Sequence, residues 1–234
     1  MTAPSHIETD GIAERILDAE VEKYMPGGRD FIDDAEIERC IRAGANPDPR
    51  RIREIIAKSE EVQTLEPAET AALLNVADAD LWEEMKQAAA RIKRKVYDNR
   101  IVTFAPLYLS NVCVNNCLYC GLRCENSAIT RRILSQEEIR REVEMLAGRI
   151  GHKRLIVVYG EHPKSAIDYM AESIRTICDV KVKARIGYGQ IRRINVNAPP
   201  LPVDELRVLH EVGLGTYQVF QETYHHATYA AVHP

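Results

Sequence analysis

No stretch of the 234 residues reaches 18 apolar side chains, so the sequence offers no membrane-spanning helix. Between Met1 and Asp10 no basic region leads into an apolar run, which leaves no visible secretory signal. Basic runs are also missing, and the net charge of −4 argues against a nucleic-acid partner. A disulfide framework spread over a small domain is missing too, because four of the six cysteines fall between Cys113 and Cys124. These absences point to a reducing, cytoplasmic compartment. What remains, 45% apolar and 28% charged residues, describes an ordinary globule with room for one large domain or a core with a helical appendage.

The first hundred residues read as helices. Ile12, Ile16, Leu17, Val21 and Tyr24 recur at helical spacing, and Pro26-Gly27-Gly28 ends that segment. Asp33 or Asp34 is placed to cap a helix carrying Ile37 and Ile41, with Cys40 as a buried thiol near its apolar stripe and Gly44 at its end. Asp48 precedes Pro49 and a stripe of Ile52, Ile55 and Ile56; Pro67 to Asn75 forms a short helix. Asp78 or Asp80 opens a long one from Leu81 to Val96.

The pattern changes at Arg100. Apolar runs at Ile101–Leu109, Leu155–Tyr159, Ile191–Val196 and Thr216–Phe220 read as strands, the second as one covered on both faces. Helices are expected between them: one opened by the capping box Ser135-Gln-Glu-Glu138 with Leu134 as staple, one through Ile167, Met170, Ile174 and Ile177, and one through Leu206 and Leu209. Val180–Ile186 reads as an extra hairpin arm turned at Gly187 and Gly189. The order βαβαβαβ, with the first turn of a further helix, implies a parallel sheet. The expected fold class is therefore α/β, a partial (βα) TIM-type barrel of about four units over 100–234, preceded by an all-helical extension over 1–99.

The chemistry is concentrated after the first strand, in Cys113-Val-Asn-Asn-Cys117-Leu-Tyr-Cys120. Three thiolates can hold three corners of a [4Fe–4S] cluster and leave the fourth iron open. That iron can take the amine and carboxylate of S-adenosylmethionine, a cofactor whose C–S bond breaks on one-electron transfer. Zinc is the alternative, with Cys124 as fourth thiolate, but no second Cys-x2-Cys pair is present. Cys124 is otherwise a bystander.

Cys113-x3-Cys117-x2-Cys120, with the aromatic Tyr119 before the last cysteine, is similar to the signature of the radical S-adenosylmethionine superfamily. Leu107–Cys120, Ile191–Asn197 and Gly215–His225 resemble its tyrosine-lyase branch, to which the HydG and ThiH families belong. The resemblance implies a cluster on the three cysteines, Tyr119 near the adenine, and a Gly160-Glu161 element meeting the methionine ammonium of the cofactor. It implies cleavage of L-tyrosine to p-cresol and dehydroglycine, as in hydrogenase maturation, with a reductant protein such as ferredoxin or flavodoxin. The branch has a full eight-fold barrel, so the chain is expected to be a truncated form or to have its opening covered by a protein partner or self-association. A truncated relative that holds a cluster without turnover is the alternative. Gly121-Leu122-Arg123 departs from the usual aromatic after Gly, and no cysteine follows Cys178 to supply an auxiliary cluster site.

Further candidates sit at strand ends. Asn195 and Asn197 alternate with Val196, and Glu222 follows the fourth strand with Gln221 and His225, where barrel active sites form. Asn195 and Glu222 are candidates for shaping the cofactor site, and Glu222 also for a substrate ammonium. Arg192 or Arg193 can steer a carboxylate. His162, His225 and His226 read as loop residues.

Overall fold

A computed structural model of the protein describes residues 18–234. The chain divides into two compact units, one of residues 28–102 and one of residues 103–234 together with the described residues before Gly28. The first expected helix is described from Asp18, as α1 (Asp18–Tyr24); its expected residues 11–17 lie outside the described residues. A turn at Pro26–Gly28 follows.

The helical unit holds α2 (Asp34–Ala43), α3 (Pro49–Glu60), α4 (Pro67–Leu74) and α5 (Ala79–Tyr97). Asp33, Asp48 and Asp78 cap α2, α3 and α5, each accepting from a backbone N–H two or three residues on. Ile52, Ile55, Ala72, Val76 and Leu81 form the core of this unit. Cys40 is not the buried thiol expected. It is half-buried and donates to Glu36 Oε1 at 3.4 Å, and no α2 residue is fully buried. The reason is a close approach after α2: a Cβ on Gly44 would lie 2.9 Å from the Ala71 carbonyl carbon, so contact there is made by backbone rather than by the Ile37–Ile41 stripe.

Glu69 is the polar keystone of this unit. It is 8% exposed and accepts from Lys58 Nζ at 2.6 Å, the Glu66 N–H at 2.9 Å and Arg51 Nη2 at 3.2 Å. The Lys58 hydrogen bond, followed by that from Glu66, holds its carboxyl below the ordinary carboxylate value. A depressed folded pKa stabilises above the unfolded pKa and loses that contribution as pH falls through the folded value. Acid titration should therefore destabilise wild type more steeply than Glu69→Gln below the ordinary carboxylate pKa. The single tryptophan, Trp82, lies in this unit and reports the transition by fluorescence. Parallel acid curves for the two proteins would remove Glu69 from the account.

The second unit is built on a four-stranded parallel sheet in the order β1-β2-β5-β6, with β1 (Ala105–Ser110), β2 (Arg154–Tyr159), β5 (Arg193–Asn197) and β6 (Thr216–Gln218). Between β2 and β5 in the chain, β3 (Val182–Lys183) and β4 (Tyr188–Gly189) form a small antiparallel hairpin. Helices α6 (Gln136–Glu144), α7 (Ile167–Asp179) and α8 (Val203–Glu211) alternate with the main strands, and α9 (His226–Val232) follows. This is a partial (βα) barrel. Leu107, Leu109, Leu155, Val157, Ile194 and Val196 are buried in one core with Ile139, Val143, Ile174, Ile177 and Leu209 of the helices. Ser135 caps α6 in the expected box, and α6 continues into a π-helical turn, Met145–Ile150, closed by Gly151 at φ 93°.

Three strand expectations are corrected. Ile101–Phe104 lie outside β1, because pairing with β2 begins at Ala105 opposite Leu155; Ile101 is 83% exposed. The last strand stops at Gln218, short of Phe220. The second strand is not covered equally on both faces: Leu155, Val157 and Tyr159 are buried, whereas Ile156 and Val158 are half-buried on the inward face of the open sheet. Among the described residues no helix is long and apolar enough to cross a membrane.

Candidate active site

The strands of the sheet all deliver their C-terminal ends to one rim, and the cysteines hang from it. At the end of β1 the register shifts between Tyr108 and Ser110, a bulge that re-aims the chain into the loop. The loop returns and closes on itself: Leu134 N–H donates to the Leu109 carbonyl at 2.9 Å, and Asn111 N–H to the Arg132 carbonyl at 3.1 Å. Arg131 clamps its interior. Its guanidinium donates to the Asn111 and Leu122 carbonyls at 2.7 Å and also reaches those of Arg123, Cys124 and Asn126. One rigid, five-donor fork thus satisfies carbonyls on both sides of the cysteine run.

A second lock comes from the turn after β2. Gly160 N–H donates to the Ser110 carbonyl at 3.0 Å, and Val114 N–H to the Glu161 carbonyl at 2.8 Å. The approach is so close that a Cβ on Gly160 would lie 2.2 Å from the Val112 carbonyl oxygen. The Glu161 carboxylate accepts from Asn115 Nδ2 at 2.6 Å. The chemistry of the Gly-Glu pair is therefore tied to the cysteine loop by backbone and side chain alike.

Cys113, Cys117, Cys120, Tyr119, Gly160, Glu161 and Glu222 line one open cleft of about 580 Å³, a size suited to a small-molecule cofactor. Its walls add apolar Val158, Pro199, Val219 and Phe220. Asn197 lines it, but Asn195, two residues deeper on β5, does not. Cys124 is also outside it; its N–H donates to the Asn115 carbonyl at 2.9 Å. Arg193 stands at the start of β5, at the far end from the cleft, bonded to the Gly215 carbonyl and Thr216 Oγ1, and Arg192 is beside it. His162 caps the short turn at Pro163–Ser165, and His225 Nδ1 pairs with Thr228 Oγ1 at 2.8 Å.

Backbone donors reach the cysteine sulfurs, but burial works against the charged form at Cys113. All six cysteines are free. Burial pushes the Cys113 thiol above its ordinary value, while the N–H groups of Asn115 and Glu161 oppose that shift. The Leu122 N–H points at Cys120 Sγ at 3.4 Å. Partial burial, with Cys117 and Glu222 alongside, pushes the Tyr119 phenol up to about 12. Among the described residues no three His, Cys, Asp or Glu side chains converge on a point that would hold a single metal ion. Acceptors in the cleft and beneath it are open: Asn116 Oδ1, Asn195 Oδ1 and Gln218 Oε1 are buried with no hydrogen-bond partner among the described residues. Glu222 has φ 59°, a strained conformation for a non-glycine residue that sets its side chain at the cleft.

Several cleft features had no signal in the sequence. Arg131 and Asn115 act through carbonyls and carboxylates distant in sequence. His233 reaches the site from just after α9; its Nε2 pairs with Tyr119 Oη at 2.7 Å and its ring stacks on Tyr229 at 4.1 Å.

The site is thus a parallel (βα) sheet carrying Cys-x3-Cys-x2-Cys on the loop after its first strand, locked to a Gly-Glu turn after its second. The family model described as the Radical SAM superfamily matches residues 107–233, and the chain belongs to that superfamily. Within it, the chain is homologous to the HydG and ThiH type of the tyrosine-lyase branch. It is 35% identical over 163 residues to the 2-iminoacetate synthase of Salmonella typhimurium, covering 69% of this chain and 40% of that protein. A crystal structure of HydG, a maturase of the [FeFe]-hydrogenase, superposes with a TM-score of 0.82 at 47% identity, over 87% of this chain and 44% of that one. The HydG of Carboxydothermus hydrogenoformans gives 0.70 at 34% identity, over 85% and 45%. The chain thus spans less than half the length of these relatives.

Proposed function

We propose that the chain is a radical S-adenosylmethionine protein of tyrosine-lyase type, acting in the cytoplasm on L-tyrosine with electrons from a ferredoxin or flavodoxin. Cys113, Cys117 and Cys120 would hold a [4Fe–4S] cluster, and S-adenosylmethionine would lie between them and Gly160-Glu161. The observation that carries this reading is the pair of backbone bonds and the Asn115–Glu161 contact that bring one carboxylate into the cleft of the three thiols. Held there by these residues, the cluster and S-adenosylmethionine would supply one-electron radical chemistry.

The residues of the chain do the positioning. Glu161, oriented by Asn115, offers a charge-assisted acceptor to an ammonium. Tyr119 gives an adenine a ring face, and Asn116 an acceptor that has no other partner among the described residues. Val158, Pro199, Val219 and Phe220 give the cleft an apolar wall. Glu222 meets ribose hydroxyls or the substrate ammonium. Asn197 contributes at the cleft itself, with Asn195 supporting from below. The name 2-iminoacetate synthase among the relatives agrees with dehydroglycine as a product.

A second reading is a cluster-holding protein or scaffold without turnover. Oxygen-free reconstitution separates the two. A reduced cluster whose electron paramagnetic resonance changes on adding S-adenosylmethionine, with p-cresol formed from tyrosine, is the expected result. The same spectral change without p-cresol selects the scaffold, and zinc uptake without iron overturns both.

A further inference from the structure

The helices of the second unit run back from the cysteine rim, so the π-helical turn ending α6 and the β3–β4 hairpin after α7 lie at the opposite, N-terminal end of the sheet. Between them is an open pocket of about 580 Å³. Its lining includes Arg141, Arg149, Lys183 and Arg185 against a single carboxylate, Glu144, on a chain whose net charge is −4. Arg141 has Glu137 at 3.9 Å, but Arg149, Lys183 and Arg185 make no ion pair among the described residues. Exposed apolar groups flank the cations: Ile186 is 82% exposed, Tyr188 67% and Ile150 59%.

The pocket is built by close backbone packing. A Cβ on Gly189 would lie 2.0 Å from the Ala147 carbonyl oxygen, and one on Gly148 2.8 Å from Val182 Cγ1, so hairpin and π-turn fit without room for a side chain between them. Lys181 sits over the Tyr188 ring at 5.3 Å, which stiffens the outer strand. Conformational freedom in the hairpin therefore costs a binding partner little.

We propose that this pocket docks an acidic protein segment in which carboxylates flank an apolar side chain. Charge complementarity supplies the cations' missing partners, and the apolar fringe supplies area that carboxylates alone would not use. A nucleic acid fits less well, because the cations ring a pocket edged with aliphatic groups instead of tracking a phosphate backbone.

The test is fluorescence anisotropy with the full chain and a labelled peptide, Glu-Glu-Leu-Glu-Glu-Leu-Glu-Glu. Saturable binding is expected, weakened at least about tenfold by Lys183→Glu combined with Arg185→Glu, and weakened by salt. Arg39→Glu with Arg50→Glu, the same charge change in the helical unit, should leave it unaltered. Both variants alter exposed side chains, and circular dichroism verifies their folding. Equal loss from the two pairs, no loss from the hairpin pair, or tighter binding of a labelled oligothymidylate would each overturn the proposal.

Discussion

Purified without oxygen and reconstituted, Cys117→Ala should hold almost no iron or sulfide, whereas Cys124→Ala should load as wild type does. The two cysteines are seven residues apart and both half-buried, so neither distance in sequence nor exposure separates them. Position does. Cys117 lines the cleft with Cys113 and Cys120, and its carbonyl accepts the Cys120 N–H at 3.0 Å in the turn that sets the last pair. Under the proposed function, losing its sulfur would leave two thiolates for a cluster held by three. Cys124 lies outside the cleft and contributes backbone: its N–H to Asn115 and its carbonyl to the Arg131 clamp. Alanine keeps both groups. Loss of iron from Cys124→Ala as well would make the site a four-thiol one and reopen the zinc reading.

What the sequence could show followed the reach of each interaction. Caps act across two or three residues, so Asp48 and Ser135 stand where their spacing placed them, and the structure selects Asp33 over Asp34 and Asp78 over Asp80. Strand existence was legible from apolar runs, but strand length was not. Ile101–Phe104 are as apolar as Leu107–Leu109, and only the position where β2 begins decides which of them pair. The same holds for Val219 and Phe220, which leave the last strand to become walls of the cleft. At the site, cysteine spacing marked Cys113, Cys117 and Cys120 as candidates because the loop is contiguous, and all three line the cleft. Arg131 was invisible because its partners are backbone carbonyls, which carry no sequence signature. Asn195 and Asn197 are indistinguishable in the alternation of β5; the height of each along the strand assigns Asn197 to the cleft.

Gly160→Ala should disable the site while leaving the fold in place, and Gly121→Ala should leave both site and fold intact. Gly121 directly follows a cysteine, yet a Cβ there meets nothing within 4 Å. Gly160 is forty residues from Cys120, yet its Cβ would stand 2.2 Å from the Val112 oxygen, 2.9 Å from its carbonyl carbon and 3.1 Å from Cys113 Cβ. The obstacle is backbone, which cannot swing aside as a side-chain tip would. Relief requires the turn and the cysteine loop to separate, and that stretches the Gly160–Ser110 and Val114–Glu161 bonds together. Overpacking of this kind costs about 1–3 kcal/mol, tolerable for a unit whose main core lies on the other face of the sheet. The cleft has less margin: under the proposed function the Glu161 carboxylate accepts from the cofactor's ammonium, and a misplacement of about 1 Å is enough to lose such positioning. The variant should therefore keep more iron than Cys117→Ala while losing the spectral response to S-adenosylmethionine. An unchanged response in Gly160→Ala would show that the close approach of the two loops is not what forms the cofactor site.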